Sequence, residues 1–279
     1  MVWQAITKED LDNIKQKFAS SGYVKQWYAM AMAILLTTLG PEWWEKNCTT
    51  TSMKPDDFLA TLDDSEKTNY NHQDRVIKLG HMLYTLKECR GYEAFIASLK
   101  TRDLASTFFE LCAANTLYQN EFITEFVEAK GQKGKDYDLL AERDGISVSV
   151  EVKSRRAGIV LGEKTLRYTL ETARKQLPPS GPGIIFVSIP SEWTMDKSAE
   201  DVIGNCIKAF FRNSARVNYI VLIWNHWIQS ETGRASASFI RQYENSSPRT
   251  LVELGQVVQP LKMPINLNPQ QQSFTPSFW

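Results

Sequence analysis

The sequence predicts an α/β protein: an all-helical first part over residues 1–100, a mixed sheet flanked by helices over 101–259, and a polar tail over 260–279. Three observations lead there. Apolar residues recur at helical spacing through roughly the first 115 positions; after Asn120 the period becomes two; and beyond residue 160 helical patterns alternate with short, continuously apolar runs. A chain of 279 residues with 43% hydrophobic content is long enough to bury a full core.

Thr7 and Asp10 have the spacing of a capping box, so a helix starts near residue 8 with Leu11, Ile14 and Phe18 as its stripe. Gly22 and Gly40-Pro41 bracket a second, largely buried helix over 23–39. Residues 41–64 read as irregular apart from a short helix opened by Pro55. Val76, Leu79, Leu83 and Leu86 mark a helix over about 65–90, stopped by Gly91, and residues 92–99 continue it briefly. Thr101 caps the next helix, whose inner stripe is Leu104, Phe108, Leu111 and Ala114. Strands follow over 122–127, 138–142 and 146–153, then a helix over 163–176 ended by Pro178-Pro179. A strand over 183–189, a helix over 199–211 and a strand over 219–224 complete the order αβββαβαβ from Thr101. Antiparallel strands followed by helical crossovers imply a mixed sheet covered on both faces.

Composition narrows the function classes. With 32 basic and 32 acidic residues the formal charge is zero, so contacts to a polyanion must come from local clustering. Four dispersed cysteines without a CxxC pair read as reduced thiols of a cytoplasmic protein. Three histidines in no ligand spacing argue against zinc. The opening residues lack the basic-then-apolar pattern of a secretory signal, and the apolar stretch Trp27–Leu39 is shorter than the roughly 20 residues of a membrane span, so no membrane association is expected. Asp56, Asp57, Asp63 and Asp64 read as helix-end acids facing water.

The chemistry concentrates in one hairpin. Asp144-Gly145 is a preferred two-residue turn, because both central positions need positive φ. It sets Arg143 against Ile146, and counting outward puts Asp138 opposite Glu151. Alternation then places Glu151 and Lys153 on the face that carries Asp138. Opposed like charges cost up to about 1 kcal/mol in a hairpin. On the residues alone two readings stand: a cation between the acids, or a wet hairpin face on which Lys153 neutralises both.

Glu110 together with Asp136-Tyr137-Asp138 through Val150-Glu151-Val152-Lys153 resembles the PD-(D/E)XK superfamily of restriction-endonuclease-like and junction-resolvase-like nucleases. The likeness covers residues 101–224 in element order, with the hairpin as its specific part. It implies a restriction-endonuclease-like αβββαβ core, with Asp138, Glu151 and, often through water, Glu110 as ligands of Mg2+ or Mn2+. The Val152 carbonyl is a further ligand, and Lys153 is the residue that positions or activates water. The expected activity is metal-dependent endonucleolytic hydrolysis of DNA, within a restriction or anti-phage assembly that includes a protein partner or a second copy. The alternatives are cleavage of RNA or junctions, and a non-catalytic nucleic-acid-binding or assembly module. The chain departs from the pattern twice. Tyr137 replaces the proline before the acid, which leaves Asp136 as a rival to Asp138; Asp138 is preferred because Asp136 faces Lys153 and is only diagonal to Glu151. Gln176 has no Tyr four residues later, which argues against the RecB-like branch.

Lys133, Lys135, Arg155, Arg156, Lys175 and Gln176 surround this hairpin in sequence and are the candidates for contacting nucleic acid. The glycine-lysine run at 131–135 lacks Walker spacing and precedes a strand, so it is no nucleotide loop. The Trp43-Trp44 pair, Trp224 and Trp227 are assigned no base-stacking role.

Overall fold

The computed structural model describes residues 6–48, 58–59, 66–128, 131, 136–155, 158–194, 197–230 and 233–250. The expected helix at Pro55, the acids at 56–57 and 63–64, and the tail over 260–279 lie outside them. Among the described residues the chain is a mixed α/β protein with eight α-helices and one six-stranded mixed sheet. No helix among them is long and apolar enough to cross a membrane.

Helix α1 (Lys8–Lys17) opens on the expected capping box, with Thr7 and Asp10 each satisfying the other's backbone N–H. Helix α2 (Tyr23–Leu39) runs between Gly22 and Gly40, both at positive φ. The expectation of irregular chain after residue 40 is corrected by α3 (Pro41–Cys48), where Pro41 takes the first helical position, at which its missing N–H costs nothing. Helix α4 (Glu66–Thr85) crosses α2 so closely that a Cβ on Gly80 would lie 2.7 Å from the Ala31 backbone. Helices α5 (Tyr92–Leu99) and α6 (Leu104–Gln119) follow. The cap of α6 is Asp103, whose carboxylate accepts the Ser106 N–H at 2.9 Å; the expected Thr101 sits too early to reach that donor.

Strands β1 (Ile123–Phe126), β2 (Leu139–Arg143) and β3 (Ile146–Ser154) form an antiparallel meander. Helix α7 (Glu163–Gln176) crosses to β4 (Gly183–Ser188), and α8 (Lys197–Phe211) crosses to β5 (Val217–Ser230), both strands parallel to β3. β5 runs six residues past the expected end at Trp224 and pairs along its length with β6 (Gly233–Glu244), a strand the sequence did not announce. The stretch Ala235-Ser236-Ala237-Ser238 alternates small residues and offers no apolar run to read. Sheet order follows chain order from β1 to β6.

Two apolar cores cover the sheet. One joins Met30, Ile34, Leu79, Leu83, Leu111 and Ala114 of the helices to Leu139, Val148, Val150, Val152 and Phe186, so it runs across the boundary expected at residue 100. The other packs Leu166, Leu170, Ile203 and Ile207 on Ile185, Val187, Ile220 and Leu222. Successive residues of β4 thus enter opposite cores, which explains its unbroken apolar sequence. A buried polar chain also ties α4 to the last two strands: Lys78 pairs with Asp74 at 2.8 Å and donates to Ser238 at 3.2 Å, and Ser238 donates to Asn225 at 2.6 Å.

Candidate active site

The Asp144-Gly145 turn adopts the expected conformation, with φ of 54° and 74°, and sets Arg143 against Ile146. The ladder holds that register to Leu139 opposite Val150. At Asp138 it slips: the Asp138 N–H donates to the Val150 carbonyl at 3.0 Å. The carboxylate meanwhile accepts the Val152 N–H at 2.7 Å. Asp138 is therefore held against β3 by its side chain, where the expected count has a sixth residue pair with Glu151. Val148, Val150 and Val152 face the first core, so Glu151 and Lys153 point to the other side of β3.

Glu151 is fully buried, at 0% exposure, and its Oε2 has no hydrogen-bond partner among the described residues. Lys153 Nζ lies 2.5 Å from Glu151 Oε1, an ion pair outside hydrogen-bonding direction, and donates to Gln176 Oε1 at 2.5 Å. Gln176 in turn donates to the Asp136 carbonyl at 3.2 Å. The last turn of α7 thus pins the lysine between β3 and the segment entering β2. Glu110, from α6, is gripped by both terminal nitrogens of Arg102, one of them at 2.9 Å.

Burial raises all three acids, and the Asp138 charge adds to it at Glu151 and Glu110. The Glu151 carboxyl is pushed up to about 9, chiefly by burial and then by the Asp138 charge, with Lys153 opposing. Glu110 rises to about 7, again by burial first and the Asp138 charge second, offset by Arg102. Asp138 rises by burial, against the Val152 N–H and the charges of Lys153 and Arg102. Three carboxyl groups, the Lys153 ammonium and the Arg102 guanidinium thus share a water-poor space. A cavity of about 310 Å3 opens onto it, bordered by Arg102, Glu110, Asp136, Asp138 and Gln176.

Among the described residues no three His, Cys, Asp or Glu side chains are gathered as a metal cage. Each carboxylate is turned instead to a nearby donor or cation: Asp138 to Val152, Glu151 to Lys153 and Glu110 to Arg102. The residues nevertheless fit a hard divalent cation. All the donors are oxygen, and the unpartnered Oε2 of Glu151 is a buried polar liability that a cation would remove.

Of the other expected residues, Gln176 belongs to the acid–lysine cluster itself. Arg155 leaves it: its Nε donates to Thr169 Oγ1 at 2.7 Å, and it borders a separate cavity with Ser154, Ser188 and Asn225. Lys175 is exposed beside another cavity, at the end of α7. Lys133, Lys135 and Arg156 lie outside the described residues. Sequence reasoning missed Arg102, whose only signal is that it stands eight residues, about two helical turns, before Glu110.

No protein-family profile matches the chain, and no curated protein sequence matches it.

Proposed function

We propose that this chain is a metal-dependent phosphodiester hydrolase of the PD-(D/E)XK type, with a restriction-endonuclease-like core, that cuts nucleic acid, in the first place DNA. The observation that carries the reading is the fully buried Glu151, its Oε2 without a partner, set electrostatically against Asp138 and Glu110 with Lys153 alongside. An ordinary hairpin face would leave these acids in water, and the wet-face reading requires such solvation. Asp138, Glu151 and Glu110 would hold Mg2+ or Mn2+. When bound, the ion supplies Lewis acidity toward the phosphate and acidifies water.

The chain's own residues do the rest. Hydrolysis joins a water oxygen to phosphorus while one P–O ester bond breaks, and the departing alcohol leaves with a proton. Negative charge grows on the phosphate oxygens in between. Lys153, held by Gln176, is fixed where its ammonium can offset that charge. Arg102 compensates Glu110 and keeps three acids from being left with one lysine. The test is a cleavage panel of duplex, single-stranded and branched DNA and of RNA, with Mg2+, on wild type and Lys153→Ala. Cutting by the wild type and its loss in a folded Lys153→Ala chain are expected. A wild type that cuts none of the four, or a variant that cuts as well, overturns the reading.

A further inference from the structure

A second concave site lies where α7 ends and β4 and β5 begin. Its cavity of about 680 Å3 is lined by Arg174, Lys175, Arg216 and Arg249, and none of its described lining residues is acidic. In a chain with equal numbers of acids and bases, four cations around one hollow is a local excess of the kind the neutral total conceals.

Their ordinary structural work accounts for part of this. Arg174 donates to the Asn213 carbonyl at 2.6 Å and to Ser214 Oγ at 2.9 Å; Arg216 donates to the Arg174 carbonyl at the helix end; Arg249 donates to the Pro179 carbonyl at 3.1 Å. Cations near a helix C-terminus complement its dipole. These bonds fix the guanidiniums in place, yet they are made to neutral groups and leave the positive charge uncancelled. Burial and the charges of Arg174 and Arg249 together hold the Arg216 guanidinium below its ordinary value, which is what crowding of like charges produces. Preorganised guanidinium forks with spare donors match phosphate oxygens in charge and shape.

The position gives the anion an identity. Lys175 borders this cavity, and the next residue, Gln176, holds Lys153 in the acid cluster. We propose that the Arg174–Lys175–Arg216–Arg249 cavity docks backbone phosphates of the nucleic-acid strand, beside the phosphodiester being cut. This rests on the hydrolase reading for the identity of the strand, while the site itself is read through binding.

The experiment is fluorescence polarisation of a labelled DNA duplex in EDTA between about 50 and 200 mM NaCl. It compares wild type with Lys175→Gln and with Arg216→Gln/Arg249→Gln. Each phosphate contact removed should lower the slope of log affinity against log salt by about 0.9, so the single variant loses about one and the double about two. Affinity at low salt should fall about threefold and tenfold, on the scale of such contacts. Unchanged slopes and affinities overturn the proposal. Should the double variant fail to fold, Lys175→Gln decides alone, because its side chain is exposed. A second arm follows the melting temperature with inorganic phosphate and with pyrophosphate. Stabilisation by these anions that the double variant abolishes, with DNA binding unaltered, marks a small-anion site and also overturns strand docking. Charge-dependent DNA binding by a wild type that cuts nothing in Mg2+ removes the hydrolase and keeps this site. Cutting with salt slopes indifferent to the three substituted cations does the reverse.

Discussion

Gln176 accepts a hydrogen bond from Lys153 at 2.5 Å and donates to the Asp136 carbonyl at 3.2 Å, so one amide on α7 fixes the ammonium relative to the segment that carries Asp138 into β2. Shortening it to Ala should free the lysine without moving the sheet. In the proposed reaction, kcat should fall about tenfold, on the scale of losing one positioning contact, while KM stays within a factor of two. Gln176→Glu, which keeps the acceptor, should recover part of kcat where Gln176→Ala does not. Steady-state kinetics on a cleavable oligonucleotide checks the split; an equal rise in KM at constant kcat would place Gln176 in substrate binding instead.

Glu151 carries a buried carboxyl group whose Oε1 faces Lys153 at 2.5 Å and whose Oε2 has no hydrogen-bond partner among the described residues. With that carboxyl pushed up to about 9, chiefly by burial, Glu151 is already mostly protonated near pH 7 when no cation is bound, so a neutral isostere removes little charge. Glu151→Gln should therefore melt no lower than wild type in EDTA, with Lys153 still held by Gln176. Cleavage should be lost in the same variant. Denaturant titration together with the cleavage assay tests both halves, and a large destabilisation would mean that the Lys153 pair outweighs the burial cost.

Metal addition gives a separate reading of the same cluster. A cation that binds only the folded chain stabilises it by about 2.7 kcal/mol at 100 times its dissociation constant. Mg2+ or Mn2+ should raise the melting temperature of wild type, EDTA should reverse this, and Asp138→Asn or Glu151→Gln should remove the response. An equal response in both variants would assign the binding to some other site.

The hairpin was legible because its turn and alternation are local rules: Asp144-Gly145 fixes the pairing and the period of two fixes the faces. The final step was not. A count along ideal strands cannot foresee that the Asp138 carboxylate takes the Val152 N–H while its own N–H goes to Val150. The Glu110–Arg102 grip reaches from the turn before α6 to a residue inside that helix, eight positions on, and no spacing rule of the helix surface announces such a pair. Helices α2 and α4 announced themselves by period; β6 did not, since its small residues carry almost no hydrophobic contrast. The basic cavity joins Arg174 to Arg216 and Arg249, far apart in the chain, so only the meeting of α7 with the strand entries reveals it.

His72 provides a pH dependence remote from the acids. Its Nε2 pairs with the Tyr28 hydroxyl at 2.8 Å and its Nδ1 with the Leu59 carbonyl. The carbonyl can only accept, so Nδ1 carries the proton and Nε2 accepts from Tyr28. Burial, then the Arg75 charge, lower its pKa from the ordinary 6.5 despite the Leu59 bond. The unfolded chain therefore takes up a proton first as pH falls. This contribution to stability is whole above about pH 6.5 and declines below it, by at most about 1.4 kcal/mol per pH unit. Denaturant titrations from pH 7.5 to 5 should show a smaller decline for His72→Gln than for wild type, and parallel curves would refute the assignment.

Gly91 tests how the helical layer meets the first strand. The Phe126 N–H donates to the Arg90 carbonyl at 2.9 Å, and a Cβ on Gly91 would stand 2.1 Å from the Phe126 carbonyl oxygen. Gly91 also sits at φ +75°, so Ala there meets both an unfavourable backbone and a clash with another strand's main chain, which cannot swing aside as a side-chain tip could. Gly145, at φ +74° in the β2–β3 turn, has the same handedness but open space around it. Gly145→Ala should thus cost about 1 kcal/mol, the conformational part alone. Gly91→Ala should cost at least about 2 kcal/mol more, in the range of overpacked sites, and should weaken protection of the Phe126 amide. Chemical denaturation and amide exchange on the two variants measure the difference; equal losses would mean that α5 and β1 separate freely.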